Sequence, residues 1–299
     1  MLNAGDYVAV TAAGYPLIVV RGDDGAVRAF HNVCRHRAGP LAEDGTGNCD
    51  RALICRYHGW RYALDGRLSS ARDFGPAGDF DVREYGLFAI RCEAWRGFHF
   101  VHIGPGAAPL AAAMRPLAER TAHLPLETYR FVRQDCHEVR CNWKTYVENY
   151  LEGYHIPLVH PALDSYVDAA RYEVSVDSPV VIHKAPPKDG VPVAGLWAWA
   201  WPCLGINVYP GGLMMERMWP LDFARTLLDY IYFFPEDTPP TEMDRAAASS
   251  GVTTKEDILI VEAVQRNLDA GIYDTGRLSP KHEGGVAWFQ RQLRCALEI

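Results

Sequence analysis

Two cysteines and two histidines stand close together near the start of the chain, as Cys34-Arg35-His36 and Cys55-Arg56-Tyr57-His58, with 18 residues between the pairs. Each pair follows a β-run and falls in a turn-rich stretch, so each loop offers one thiolate and one imidazole. A [2Fe–2S] cluster in which two Cys bind one iron and two His the other suits that distribution, because each loop then reaches both irons. Tetrahedral zinc accepts the same four donors, but its usual spacing takes a Cys pair from one segment and a His pair from another. Cys49 lies nearby without a paired His and is left out of the set.

A second group of metal-binding types lies in residues 142–161 (NWKTYVENYLEGYHIPLVHP). Glu148, Glu152 and His155 are spaced i, i+4, i+7, which predicts one helical face, and Pro157 predicts the end of that helix. His160 follows five residues after His155, so a turn can bring both imidazoles to one point. Two His with a carboxylate from elsewhere make the facial triad that holds Fe(II) and leaves neighbouring positions open for O2 and other ligands. A lone His on a helix is more often structural, and His31, His99, His102, His123, His137, His183 and His282 have no spacing that calls for metal.

These groups need elements to position them. A length of 299 residues suggests about two domains. A formal charge of −7 leaves no basic field to neutralise a phosphate backbone, which argues against nucleic acid as a partner. Eight cysteines are too sparse for a disulfide scaffold, and Asp6 interrupts any secretory signal, so a reducing, cytoplasmic setting is expected. Residues 191–215 carry no charge and are long enough to span a bilayer. Pro192, Pro202, Pro210 and four glycines would leave backbone groups unsatisfied in lipid, so the stretch reads as two buried strands joined at Pro202-Cys203, and no membrane partner is expected.

From Tyr7 to Ile103 short β-runs alternate with Gly-Asp, Asp-Gly and Gly-Pro turns, which predicts a small all-β unit. An Ala- and Pro-rich connector follows, and beyond it a mixed region makes the whole α+β. Thr253 and Glu256 form a capping-box pattern, Ile258, Leu259, Val261 and Val264 give an apolar face, and Gly271 suits a stop. Asp257 then falls in the first turn of a final helix, where a merely solvated acid would favour the dipole. Trp197, Trp199 and Trp201 alternate on one strand face, with Tyr209 on the next strand. They either pack against the C-terminal helix or line a pocket that would take a planar ring or, by cation–π attraction, a methylated ammonium.

The pattern C-x-H-x₁₈-C-x₂-H followed by Gly59-Trp60 resembles the Rieske domain of non-haem iron ring-hydroxylating oxygenases. Respiratory Rieske proteins resemble it too, but they carry an extra bridged Cys in each loop, where Gly39 and Tyr57 stand here; the resemblance is therefore to the low-potential oxygenase and ferredoxin kind. Residues 142–161 resemble the catalytic signature of the same family, E-x₃-(D/E)-x₂-H-x₄-H, and Glu256-Asp257 opens its E-D-x₄-E-x-x-Q pattern. The resemblance implies that Cys34, His36, Cys55 and His58 hold a Rieske [2Fe–2S] cluster, and that His155, His160 and Asp257 hold a mononuclear Fe(II). It also implies that Glu152 links His155 to His58 of the partner subunit, orienting the imidazoles and coupling the two centres. Asp is the common family residue there; the longer Glu resembles members that oxidise quaternary ammonium compounds such as carnitine and betaines.

The fold so implied is a Rieske domain over 1–105, a connector over 106–129, and a helix-grip (START-like) catalytic domain over 130–299 with an antiparallel sheet and a C-terminal helix. The activity implied is that of an α (catalytic) subunit, the terminal component that activates O2 to hydroxylate or oxidatively demethylate a small aromatic or quaternary ammonium substrate. No G-x-G-x-x-G follows a strand and opens a helix, so nicotinamide and flavin bind elsewhere. A separate NAD(P)H-dependent reductase, with or without a ferredoxin, and a homotrimer are the implied partners. The alternative is a Rieske electron-transfer or ligand-binding protein without oxygenase activity.

Overall fold

The computed structural model describes residues 1–298 apart from 105, 107, 191–194 and 210. Two compact units divide the chain, Met1–Leu110 and Ala111–Ile299.

The first unit is built from strands β1 (Asp6–Ala12), β2 (Tyr15–Arg21), β3 (Val27–His31), β4 (Gly45–Asn48), β5 (Ala52–Ile54), β6 (Arg61–Ala63), β7 (Leu68–Ser70), β8 (Ala89–Trp95) and β9 (Phe98–His102). Six of them form a sheet in the order β4-β1-β2-β3-β8-β9, and β5-β6-β7 form a small second sheet. Two-residue loops at Ala13-Gly14 and Arg96-Gly97 close the β1–β2 and β8–β9 hairpins. Both residues of each loop have positive φ, the backbone twist that matches the strands on either side. Ile18, Val20, Phe30, Leu53, Trp60 and Tyr62 bury the apolar side of this unit, so the cysteine–histidine loops, one after β3 and one after β5, rest on a packed base.

The second unit follows a short helix α1 (Leu110–Ala113) at the boundary. It comprises α2 (Arg115–Arg120), β10 (Arg130–Val139), α3 (Trp143–Tyr150), α4 (Ile156–Val159), α5 (Pro161–Asp164), β11 (Glu173–Asp177), β12 (Val180–Lys184), β13 (Leu196–Ala200), β14 (Leu204–Tyr209), β15 (Gly212–Pro220), β16 (Thr226–Phe234), α6 (Pro240–Asp269) and α7 (Gly284–Leu297). Its seven strands form one sheet in the order β10-β16-β15-β14-β13-β12-β11, antiparallel throughout. Residues of α3, α6 and α7 share one core with the sheet: Val147, Trp199, Met218, Leu228, Val261 and Phe289 are all buried in it. The α+β expectation holds.

Three local expectations do not. Helix α6 begins at Pro240, well before Thr253. Pro239-Pro240 sets that start, since a proline at the first helical position gives up no needed N–H, while Ser249, Ser250 and Gly251 weaken the helical pattern in the sequence. Thr253 and Asp257 are therefore mid-helix, and Thr253 Oγ1 donates back to the Ser249 carbonyl instead of capping. Gly271, at φ +68°, does sit just past the helix end. Second, α3 stops at Tyr150, because the Glu152 carboxylate accepts the backbone N–H groups of Tyr154 and His155 and so holds a turn that competes with the helix. Third, Pro157 opens α4 rather than ending a longer helix.

The uncharged stretch runs through β13 and β14 and into β15, with its connection at residues 201–203; Pro192 and Pro210 lie outside the described residues. Among the described residues, no helix is long and apolar enough to cross a membrane. Trp199 and Trp201 meet Phe289 at ring-centroid distances of 5.3 and 5.9 Å; the packing alternative therefore applies to them, but against α7, a further helix beyond the one that the sequence marks as last. Phe289→Ala is expected to lower the unfolding free energy of the second unit by about 3–5 kcal/mol, the usual cost of emptying a buried aromatic site. Denaturant titration followed by tryptophan fluorescence measures this, and a loss below about 1 kcal/mol would contradict the docking of α7 through this ring.

Candidate functional site

The two loops of the first unit have the same backbone wiring. Cys34 N–H donates to the Gly39 carbonyl and Ala38 N–H to the Cys34 carbonyl; Cys55 N–H donates to the Trp60 carbonyl and Gly59 N–H to the Cys55 carbonyl, all at 2.9–3.0 Å. Ala38 and Gly59 occupy equivalent positions, both at positive φ. The loops also approach closely: a Cβ on Gly39 would stand 3.0 Å from Cys55 Sγ and 3.2 Å from Tyr57 Cβ. The sites of the respiratory disulfide, 39 and 57, are thus neighbours here without sulfur.

Cys34 and Cys55 are both buried. Burial pushes the Cys55 thiol up, and the adjoining Cys34 adds to the rise. Tyr62 Oη stands 3.2 Å from Cys34 Sγ and accepts the Arg35 N–H at 3.0 Å. The His36 and His58 rings meet at 4.6 Å, and His36 stacks on Trp60 at 4.9 Å. His36 Nδ1 is buried with no hydrogen-bond partner. Two buried thiols and an orphaned imidazole nitrogen at one point are a donor set that fits an iron–sulfur cluster. Cys49 stays apart, its thiol donating to the Gly5 carbonyl.

In the second unit His155 precedes α4, His160 joins α4 to α5, and Asp257 comes across from the middle of α6. The two Nε2 atoms are 3.1 Å apart, and Asp257 Oδ1 lies 3.1 Å from His160 Nε2 and 3.6 Å from His155 Nε2. Among the described residues this is the one group of three such donors close enough to share an ion. Glu152 accepts the hydrogen of His155 Nδ1, and Glu256 Oε2 lies 2.8 Å from His160 Nδ1. A carboxylate on each Nδ1 leaves the Nε2 lone pairs facing one another, an arrangement that a cation between them would relieve. Burial opposes a charge on His160, but Asp257 and Glu256 outweigh it and raise its pKa. The set therefore fits a divalent metal.

Glu148 does not join this face. Its carboxylate accepts a hydrogen bond from Gln290 of α7 at 3.0 Å, because α3 ends before the predicted i, i+4, i+7 stripe is complete. Glu256 is not a capping residue but the acceptor behind His160. Asn149 Nδ2, also missed, donates to Asp257 Oδ1 at 2.6 Å. The triad opens on a cavity of about 310 Å³ whose walls include Tyr172, His183, Trp197, Tyr209, Glu216 and Tyr230. His183, read from sequence as structural, lines it; burial presses its pKa down to about 3, and its Nδ1 faces Tyr172 Oη at 2.8 Å. Trp197 and Tyr209 line the cavity while Trp199 packs in the core, so the aromatic strands do both jobs. Glu216 carried one overlooked signal, an acid that breaks, with Arg217 beside it, an otherwise apolar strand.

Two family models cover the chain: the Rieske [2Fe-2S] domain over residues 1–85, and the ring hydroxylating alpha subunit (catalytic domain) over 126–185 and 184–298. The chain belongs to the Rieske oxygenase α subunits. It is an oxidoreductase of that family, and the cofactors of its two domains are a Rieske [2Fe–2S] cluster and a mononuclear iron. The carnitine monooxygenase oxygenase subunit of Escherichia coli (strain K12) is 30% identical to this α subunit over 98% of this chain and 84% of that one. The chloroplastic choline monooxygenase of Arabidopsis thaliana is 28% identical over 87% of this chain and 66% of that one. Among solved structures, a quaternary ammonium Rieske monooxygenase in complex with L-carnitine superposes with a TM-score of 0.85 at 28% identity, over 98% of this chain and 85% of that one. Naphthalene 1,2-dioxygenase from Rhodococcus sp. shares the fold, at a TM-score of 0.74 and 18% identity, over 98% of this chain and 87% of that one.

Replacing Glu256 by Gln should weaken mononuclear iron binding about 10- to 100-fold, the usual effect of losing a carboxylate behind a ligand imidazole. Competitive Fe(II) titration against a chelator measures this, with the cluster's visible absorption as the internal control. Unchanged affinity would show that Glu256 does not orient His160.

Proposed function

We propose that this α subunit is the terminal oxygenase of a multicomponent system, acting on a small organic substrate of the quaternary ammonium class. In this reading Cys34, His36, Cys55 and His58 hold the cluster within a Rieske domain spanning residues 1–105. His155, His160 and Asp257 hold the iron within a catalytic domain spanning 130–299. The observation that carries the proposal is the meeting of two imidazoles and a carboxylate on the wall of a cavity rich in tyrosine, with Trp197 among its walls.

Iron bound there supplies the activation of O2, fed with electrons by the Rieske cluster. The chain's own residues do the rest. Glu152 and Glu256 take the Nδ1 hydrogens and so fix which nitrogen of each imidazole is free. Asn149 holds one oxygen of Asp257 and limits its rotation. Tyr172, Trp197 and Tyr209 narrow the cavity and displace water from the face on which a substrate methyl group or ring would lie. In its second role Glu152 would reach His58 of the partner subunit and join the two centres across a homotrimer. A structure of the carnitine-oxidising relative, which bears on inter-subunit electron transfer, supports that reading.

The quaternary ammonium class is favoured over aromatic hydrocarbons because the relatives at 27–30% identity act on carnitine or choline, whereas the naphthalene enzymes share only the fold. The electrons come from a separate NAD(P)H-dependent reductase, directly or through a ferredoxin. Eight unbridged cysteines support a cytoplasmic setting.

Product analysis by mass spectrometry under ¹⁸O2, with a surrogate reductase, tests the proposal. N-methylated ammonium compounds should yield label in an alcohol or aldehyde product, and aromatic acids should not. Absence of oxygen uptake with every compound, in protein holding about three irons per chain, would leave an electron-transfer or binding role instead. Glu152→Gln should retain both metals and lose turnover by at least about 100-fold, given the role of such carboxylates; full turnover would remove Glu152 from the electron path.

A further inference from the structure

Three carboxylates line the cavity of the second unit, and no Lys or Arg does among the described residues. Two are engaged: Glu152 with His155, and Asp257 with His160 and Asn149. The third, Glu216 on β15, is 2% exposed and its Oε1 accepts no hydrogen bond. A buried carboxylate with one oxygen unbonded and no cation beside it costs several kcal/mol unless something neutralises it. Among the described residues no Lys or Arg does so, and the basic residue one position further on, Arg217, is committed to Asp229.

We propose that Glu216 reads the charge of the substrate, and that the occupant it selects is a small ammonium monocation bearing no carboxylate of its own. This rests on the oxygenase reading above and narrows its substrate class. Two features of the wall support it. Seven lining side chains are Tyr or Trp, whose ring faces attract an N-methylated ammonium that cannot itself donate a hydrogen bond. A zwitterion would bring a carboxylate beside the unpaired Glu216, where the described lining offers no guanidinium or ammonium to receive it.

Burial holds the carboxyl of Glu216 up at about 8, with the Asp257 charge adding to the rise; hydrogen-bonding neighbours Tyr146, Tyr230 and Asn207 only partly offset this. An arriving cation favours the ionised form, so binding expels a proton whenever the pH is below that value. The groups facing Glu216 are Tyr146 and Tyr150 from α3, Asn207 from β14, Tyr230 from β16 and Asp257 from α6. Burial keeps all three phenols neutral well above the working range. Affinity for a cation should therefore rise with pH while the carboxyl ionises and then level off.

The test is anaerobic titration calorimetry on the iron-loaded protein with choline, its neutral isostere 3,3-dimethyl-1-butanol, and L-carnitine. Choline should bind at least about tenfold tighter than the neutral isostere at pH 8.5, about what one desolvated charge pair is worth. Carnitine should bind more weakly than choline. Glu216→Gln should bring choline and the isostere within about threefold of each other while sparing the isostere's own affinity. Gln keeps the shape and removes a buried acid, so the variant should melt no lower than the natural protein at pH 8.5. The rise of choline affinity with pH in the unaltered protein is a second measurement that needs no variant.

Equal binding of choline and the isostere, a preference that survives Glu216→Gln, or carnitine binding at least as tightly as choline would each overturn the proposal. The expected binding pattern without oxygen consumption would leave it standing and overturn the oxygenase reading. Labelled product from other substrates with no choline binding would do the reverse.

Discussion

Two imidazole nitrogens held 3.1 Å apart with their lone pairs facing are the constraint on which the second unit depends. Left alone, such a pair repels. It persists because each ring is held from behind by a carboxylate, Glu152 for His155 and Glu256 for His160, and because Asp257 closes the third side. The two histidines come from one short segment, but Glu256 and Asp257 arrive from a helix about a hundred residues later in the chain. Helix α6 must therefore dock in one register against α3 and α4. The buried contacts of Val261 in the core, and the bond from the Asn142 N–H to Gln265 at 2.8 Å, fix that register one and two turns beyond Asp257.

The sequence shows chemistry more readily than it shows the backbone that delivers it. Ligand types and spacings are local facts, so Cys34, His36, Cys55, His58, His155 and His160 stand out at once, and a β-rich first unit follows from its turn residues. Helix limits are decided by competition, and there the reading fails. Glu152 belongs to a helical stripe by spacing, yet its carboxylate takes two backbone N–H groups and ends the helix instead. Glu256 completes a capping box by pattern, yet Pro240 has already started the helix and frees that side chain for His160. Glu152 turns to partners two and three residues on, which its spacing alone does not distinguish from a helical stripe, whereas Glu256 turns to His160, 96 residues away, and no local window contains that partner.

Glu216 shows the same limit from the other side. Along β15 it and Arg217 interrupt an apolar run, which marks the pair as unusual but says nothing of its purpose. Only the sheet register, with Glu216 opposite Gly205 and Tyr230, places it on the face turned toward the cavity. A glycine opposite it is part of the arrangement: a Cβ at Gly205 would stand 3.3 Å from Glu216 Cβ and 3.2 Å from the Tyr150 ring. The small residue makes room for a tyrosine and an acid side by side, at the expense of burying the acid.

The two units meet the demands of their metals in different ways. In the first, two loops of equal wiring place a thiol and an imidazole each, held by backbone bonds within each loop, by Tyr62 beside Cys34 and by Trp60 against His36, all above one packed base. In the second, the donors are oriented by side chains drawn from several elements around a cavity. That design is costlier to fold, since its parts converge from distant segments. It is also what a substrate site requires, because the same walls that hold the imidazoles in place can present aromatic faces and an uncompensated carboxylate to a guest. A centre that only stores an electron needs rigidity; a centre that must also admit and sort a molecule needs a cavity whose charge is left unbalanced until the right occupant arrives.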